Sequence, residues 1–148
     1  MVTIRSARRG DLAAIEAVLR DAGLPVVGVQ EHVDEFIVAE QDGALVGCAG
    51  LERYGDAGLL RSVAVTSNMR GTGLGQRLTA ASIDAARSQG ITSLALLTET
   101  ADGFFPRFGF APVARADLPT ALHASEELRG ACPASARAML LNLAAAPR

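Results

Sequence analysis

An apolar strand, a glycine-rich loop and an amphipathic helix follow one another directly, and this succession constrains the fold more than any other feature. Residues 59–65 are apolar apart from Arg61 and Ser62, which predicts a largely buried strand. Residues 70–75 read Arg-Gly-Thr-Gly-Leu-Gly, and apolar side chains then recur at helical spacing at Leu74, Leu78, Ala81 and Ala85. A strand that turns through glycines into a helix indicates a layered α/β domain.

Turn residues and hydrophobic periodicity divide the rest of the chain into short elements. Strands are predicted at 3–7, 36–40, 44–51, 59–65, 91–98, 110–115 and 137–143. Helices are predicted after an Asp11 cap, around His32, from Leu74 to Gly90, through Phe104 and Phe105, and in part over 118–128. Turns at 41–43 and 54–56 make a three-stranded meander. The order predicts an α/β (α+β) mixed sheet with helices on both faces, in one domain spanning 1–148.

Composition excludes several classes of function. All 14 basic side chains are arginine, so the chain has no lysine for a Schiff base or a P-loop. The net charge of −2 argues against a nucleic-acid or membrane partner. The N-terminus lacks the apolar segment of a signal peptide, so a cytoplasmic location is expected. Cys48 is expected in the core, and Cys132 lies too far from it for a CxxC metal site, so no metal is expected.

The glycine loop has the chemistry of an anion site. Glycines permit positive φ, the helix N-terminus presents unpaired N–H groups, and Arg70 adds a charge, which together suit a pyrophosphate. A dinucleotide fingerprint would require a glycine at Gln76 and would normally follow the first strand. Neither condition holds, so that family is not favoured.

The spacing RxxGxG at 70–75, followed by Phe-Phe-Pro-Arg-Phe-Gly-Phe at 104–110, resembles the GNAT acetyltransferases, whose element order matches nearly the whole chain. The resemblance implies a GNAT fold, a sheet that splays at an acetyl-CoA site, and acetyl-CoA as co-substrate. By position it implies that the backbone near Val63 binds the pantetheine arm and the glycine loop binds the pyrophosphate. The implied cofactor-binding residues are Val63, Ala64, Val65, Arg70, Gly71, Thr72, Gly73, Leu74, Gly75, Gln76 and Phe105.

The catalytic groups are less clearly indicated. Many GNAT enzymes have a tyrosine that protonates the departing thiolate, and its position here holds Phe105, so solvent or another group would have to serve. Glu52 is the first candidate general base, because it is expected to end the strand beside the cofactor strand. Glu99, just beyond the following strand, is the second. Either residue can equally be a solvated strand end.

Arg61 and His32 are the candidate substrate-binding residues. An arginine inside an apolar strand is costly to bury without a partner. Arg61 can anchor a substrate carboxylate, form a salt bridge within the sheet, for instance to Glu52, or simply lie on an exposed face. His32 falls where GNAT folds form the lid over the acceptor, or else it lies on the surface.

Narrower similarities point to a class of substrate. The strings at 51–56, 59–65, 125–128 and 132–136 are similar to arsenic-resistance GNAT proteins, and the Leu-Arg-Ser-x-Ala-Val core is similar to short amino-acid acetyltransferases of the N-acetylglutamate synthase kind. They imply N-acetylation of a glutamate-like amino acid, or of an organoarsenical or phosphinothricin-type antimetabolite in arsenic resistance. The alternatives are an amine-drug or protein N-terminal acetyltransferase and a non-catalytic acetyl-CoA sensor. GNAT relatives are often dimers, which leaves a homodimer open.

Overall fold

Seven strands form one mixed sheet in the computed structural model, which describes residues 1–99, 101, 103–132 and 135–143. The strands are β1 (Val2–Ser6), β2 (Phe36–Gln41), β3 (Ala44–Tyr54), β4 (Ala57–Val65), β5 (Ser93–Thr98), β6 (Ala111–Val113) and β7 (Arg137–Asn142). Their order across the sheet is β1-β2-β3-β4-β5-β7-β6. Among the pairs formed by these strands, β4–β5 is parallel and the others are antiparallel.

Helices cover both faces of this sheet, as predicted. They are α1 (Leu12–Asp21), α2 (Val29–His32) and α3 (Leu74–Ser88). Cys48 of β3 packs in the apolar cluster of α1, whereas its neighbour Ala49 packs in that of α3. Successive strand residues point to opposite faces, so α1 and α3 lie on opposite sides of the sheet. Within the described ranges no helix is long and apolar enough to cross a membrane.

The mixed sheet and the order of elements are confirmed, but several boundaries differ from the prediction. β3 continues three residues beyond 51, because Arg53 and Tyr54 pair with Gly58 and Ala57 across the hairpin. β6 is limited to three residues, and 3-10 or π turns occupy most of the predicted helix at 118–128. Asp11 is the N-cap residue of α1, but its carboxylate makes no capping hydrogen bond there; it accepts hydrogen bonds from the side chain of Arg5 and the backbone of Arg8.

The pairing of β4 with β5 is short, and the candidate site lies where this pairing ends. It covers three residue pairs and ends at Leu59 opposite Ala95. β4 also contains a bulge: Cys48 of β3 pairs with Ala64 and Gly50 with Arg61, so β4 has one residue more than its partner. Ser62 in this bulge has φ 60°, a conformation uncommon for a residue other than glycine. Bulges bend a strand and occur beside functional sites.

Candidate active site

The two central strands separate beyond Leu59 and enclose a cleft of about 840 Å³. One wall is β4 from Leu60 to Val65, and the other is the end of β5 from Leu96 to Thr98. The loop after α1, residues 22–25 and 27, closes one side, and Phe105 and Cys132 line another. The predicted residues Val63, Ala64, Val65, Arg70 and Phe105 all line this cleft, as do Arg61 and Glu99.

The glycine loop forms a second, smaller cleft of about 230 Å³ that shares Val65 and Arg70 with the first. Gly71 and Gly73 have φ of 80° and 84°, and a Cβ added to either would meet no atom within 4 Å. Positive φ, rather than crowding, is therefore what requires glycine at these positions. No side chain caps α3, so the N–H groups of its first turn are left for a ligand.

Gly71, Gly73, Leu74, Gly75 and Gln76 line the smaller cleft. Thr72 lines neither cleft, because its hydroxyl turns back and donates to the Met69 carbonyl at 2.6 Å. The Phe105 ring is almost fully buried and packs edge-on against Phe110. Phe105 therefore offers an apolar wall to the main cleft.

A buried ion pair lies behind the β4 wall. Arg61 Nη1 donates to Glu52 Oε2 at 2.7 Å, and the two residues are 3% and 0% exposed. Gly50 pairs with Arg61 and Glu52 with Leu59, so the two charged side chains share one sheet face and meet diagonally. Of the alternatives left open for Arg61, the structure has the salt bridge to Glu52.

Arg61 has further partners that satisfy the rest of its guanidinium. Nε donates to Ser62 Oγ at 2.9 Å, and Nη2 donates to the Pro25 carbonyl at 3.3 Å. Nη2 also lies 3.4 Å from Glu127 Oε2. One side chain thus ties together the β4 bulge, the loop after α1 and the segment before β7.

Glu52 is held by more than the arginine. The Tyr54 hydroxyl donates to Glu52 Oε1 at 2.6 Å, and Ser125 also hydrogen-bonds the carboxylate. Burial would raise the pKa of Glu52, but the hydrogen bonds from Ser125, Tyr54 and Arg61 outweigh burial, and the pKa is lowered. Glu52 is therefore an ionised carboxylate with its lone pairs engaged.

Glu127 also contacts Arg61, but its pKa is raised, whereas the pKa of Glu52 is lowered. Burial raises the pKa of Glu127, and the attraction of Arg61 and a hydrogen bond with Cys132 offset this only in part, while the charge of Glu52 adds to the increase. Burial, with the neighbouring Glu127, also raises the pKa of the Cys132 thiol to about 12. Cys132 is thus a neutral thiol at the cleft wall.

The remaining predicted site residues lie in different places. Glu52 does not end β3, contrary to the reasoning that made it a candidate base, and it does not line the cleft. Glu99 is exposed at the cleft margin, where its Oε2 accepts from Ser135 Oγ at 3.2 Å. His32 lies outside the cleft lining, with Nε2 3.8 Å from Glu52 Oε1. Across the described ranges, no three His, Cys, Asp or Glu side chains are grouped as metal ligands would be.

Sequence reasoning missed several residues around the Arg61–Glu52 ion pair and the adjoining cleft wall. They are Pro25, Tyr54, Ser125, Glu127 and, as a cleft residue, Cys132. The one available signal was the cost of burying Arg61, which required a carboxylate nearby without saying which.

Comparison with known proteins identifies relatives of this arrangement. The amino-acid acetyltransferase of Neisseria meningitidis is 35% identical over 127 residues, which are 80% of this chain and 29% of that protein. An uncharacterized N-acetyltransferase of Chlorobaculum tepidum is 27% identical over 124 residues, 78% of this chain and 79% of that protein. The chain thus spans less than a third of the length of the Neisseria enzyme.

Solved structures agree. N-acetylglutamate synthase from Neisseria gonorrhoeae, complexed with coenzyme A and N-acetyl-glutamate, superposes with a TM-score of 0.82 at 30% identity, covering 97% of this chain and 35% of that one. A Mycobacterium tuberculosis protein in complex with CoA gives a TM-score of 0.78 at 26% identity, covering 95% and 99%. The model of the family described as acetyltransferase (GNAT) domain matches residues 32–112, over half of the 148 residues. The chain therefore belongs to the GNAT acetyltransferase family.

Proposed function

We propose that this chain is an acetyl-CoA-dependent N-acetyltransferase that acetylates the amine of a small amino-acid-like acceptor. The observation that carries the proposal is the separation of β4 from β5 after three pairs, into a cleft that leads to the glycine loop. An elongated ligand with an anionic centre fits this shape, because β4 presents backbone along one part and the loop presents N–H groups at the other.

The residues present suit acetyl-CoA. The backbone of Val63 and Val65 would bind the pantetheine arm, since pairing with β5 stops before them. The loop and the first turn of α3 would bind the pyrophosphate, with Arg70 adding a charge-assisted contact between the two clefts. Acetyl-CoA supplies the activated acetyl group, and the buried face of Phe105 would exclude water beside it.

An amino acid is the acceptor that the relatives support. The Neisseria gonorrhoeae enzyme has N-acetyl-glutamate bound, and the Neisseria meningitidis relative is an amino-acid acetyltransferase. We keep the organoarsenical and phosphinothricin-type analogues, and a role in arsenic resistance, as narrower proposals on the similarity of the strings at 125–128 and 132–136. Arg61 as an anchor for the acceptor carboxylate requires that it leave Glu52, so its contacts favour a role in holding the cleft together.

The two predicted bases stay predictions. Glu99 is accessible at the margin of the cleft, whereas Glu52 is buried and its carboxylate accepts three side-chain donors. His32 as a lid residue would act beside Glu52 rather than from the cleft lining. We place the reaction in the cytoplasm, where free thiols such as Cys48 and Cys132 persist.

A non-catalytic acetyl-CoA sensor is the second candidate, because Phe105 supplies no hydroxyl to protonate a thiolate. Thiol release from acetyl-CoA, measured against a panel of amino acids, phosphinothricin, organoarsenicals, amine drugs and N-terminal peptides, separates the candidates. We expect release to depend on an amino acid or amino-acid analogue. Tight binding of acetyl-CoA, without release for any acceptor, would show a sensor instead. Preference for amine drugs or peptides would move the acceptor to the alternative classes.

A further inference from the structure

A second carboxyl group lies directly behind the wall of the cleft. Glu127 is 4% exposed, and its side chain meets Arg61 on one side and Cys132 on the other. The Cys132 N–H donates to the Glu127 carbonyl at 3.3 Å, the Cys132 thiol is a hydrogen-bond partner of the Glu127 carboxylate, and Cys132 lines the main cleft. The Cys132 thiol therefore connects the cleft to the buried Glu127 carboxylate.

The two carboxyl groups that contact Arg61 have pKa values shifted in opposite directions. Glu52 receives three side-chain hydrogen bonds and its pKa is lowered, whereas burial raises the pKa of Glu127. The ionisable groups that face Glu127 are Arg61 from β4, Glu52 from β3 and Cys132. The positive charge of Arg115 partly offsets the rise in the pKa of the Cys132 thiol. A general base works best when its pKa is near the operating pH, and environments that push two carboxyl pKa values apart mark distinct roles.

We propose that Glu127 accepts the proton that the acceptor ammonium must lose before it attacks, and that the Cys132 thiol carries this proton from the cleft. This inference rests on the proposed function. An N–H bond of the ammonium breaks as a new S–H bond forms at Cys132, while the original S–H proton moves to a Glu127 oxygen. The ammonium and the carboxylate thus become a neutral amine and a carboxylic acid.

The same path in reverse returns that proton to the departing CoA thiolate, which regenerates the Glu127 carboxylate. The proton that the nitrogen loses after attack goes to water. The balance therefore leaves one N-acetyl product, one CoA thiol and one proton in solution for each ammonium consumed. This path supplies the acid that Phe105 cannot supply.

The experiment compares four variants of the full chain by thiol release from acetyl-CoA, with kcat and kcat/KM for the best acceptor measured from pH 5 to 9. Glu127→Gln removes the base, and the exposed neighbour Glu126→Gln is its matched control. Cys132→Ala breaks the path, whereas Cys132→Ser keeps a hydroxyl that can transfer a proton. The cysteine pair leaves every charge in place, so it remains informative if Glu127→Gln folds poorly.

We expect Glu127→Gln and Cys132→Ala to lower kcat near pH 7 by about 100-fold, the lower end of the range for general acid–base catalysis. Glu127→Gln should also remove the acidic limb of the pH profile. Cys132→Ser should restore most of kcat, and Glu126→Gln should match the wild type, with the acetyl-CoA Kd similar in all four.

Three results would overturn the proposal. Wild-type kcat and an intact acidic limb in Glu127→Gln would remove Glu127 from the reaction. Cys132→Ala with wild-type kcat, or Cys132→Ser no better than Cys132→Ala, would remove the thiol path. If the wild type itself released no thiol with any acceptor, the proposed function would fail too, whereas an active wild type with unchanged variants overturns this inference alone.

Discussion

Replacing Arg61 by methionine tests the buried ion pair most directly. Methionine fills a similar volume but supplies no donor, so the variant loses the hydrogen bonds to Glu52 at 2.7 Å, Ser62 at 2.9 Å and Pro25 at 3.3 Å. Glu52 is 0% exposed and would be left as a buried carboxylate without its guanidinium partner, with His32 Nε2 3.8 Å from Oε1. The loss in free energy of unfolding should therefore come mainly from the buried, unpaired charge of Glu52.

The expected loss in free energy of unfolding follows from the buried charge of Glu52. Removing one partner of a buried pair costs about 3–5 kcal/mol. The hydrogen bonds from Tyr54 and Ser125 remain, so we expect about 3 kcal/mol, the lower end of that range. For a domain of this size that corresponds to a fall in Tm of roughly 6–12 °C. The double variant Arg61→Met/Glu52→Gln should be more stable than Arg61→Met, because the buried charge of Glu52 is then removed, while Glu127 loses Arg61 in both variants.

The dependence on pH gives a second check. The folded pKa of Glu52 is lowered, so its contribution to stability is present above the unfolded pKa of about 4.3 and is lost as the pH falls through the folded value. Without Arg61, the pKa of Glu52 should be higher than in the wild type. The stability gap between Arg61→Met and the wild type should consequently narrow as the pH falls below about 4.3.

Urea unfolding at pH 7 and at pH 4 measures both effects. The control is Arg20→Met, which removes an arginine whose side chain is 64% exposed and lies 3.5 Å from Glu16. That control should change the free energy of unfolding by less than about 1 kcal/mol. An Arg61→Met variant as stable as the control, or a double variant less stable than Arg61→Met, would show that the buried ion pair does not stabilise the fold in this way.

Three further predictions concern the rest of the fold. Gly73→Ala, at φ 84°, should strain the loop by about 1–2 kcal/mol and weaken acetyl-CoA binding in calorimetry, whereas Gly10→Ala, in open space without positive φ, should not. Gly50→Ala would press a Cβ into an aromatic ring of β2 and should lower the free energy of unfolding by about 1–3 kcal/mol. Asp11→Asn should cost about 0.5–1 kcal/mol at pH 7. Its pKa is lowered to about 2 by Arg5, so that cost should shrink below pH 4, roughly the unfolded value.

The glycine loop could be predicted from the sequence because its signals are local. Positive φ at Gly71 and Gly73, the start of α3 and the preceding strand all follow from residues within one continuous segment. The opening between β4 and β5 came from the family resemblance. Periodicity gives no information on where two paired strands separate, since residues 59–65 are predicted as one continuous strand whether or not β5 pairs along all of it.

The ion network could not be predicted, because its members are distant in sequence and several lie in irregular segments. Pro25 and Glu127 reach Arg61 from opposite ends of the chain. The apolar run stops at Leu51, which predicts a strand end at Glu52, whereas hairpin pairing extends β3 through Tyr54. Arg61 alone signalled the network, since a buried guanidinium requires acceptors that local patterns do not identify.

Arg61 lies between two buried carboxyl groups, but hydrogen bonds from Ser125, Tyr54 and Arg61 keep Glu52 ionised, whereas burial leaves Glu127 harder to ionise. The folded pKa of Glu127 is raised, so its contribution to stability is full below the unfolded value and is lost as the pH rises through the folded value. Glu127→Gln does not titrate, so the free energy of unfolding of this variant, relative to wild type, should increase as the pH rises from about 4, near the unfolded value, to pH 8. Urea unfolding across that range measures the change, with Glu126→Gln as control. A flat difference would show that Glu127 ionises as easily in the folded chain as in the unfolded one, and would remove the physical basis for its role as a base.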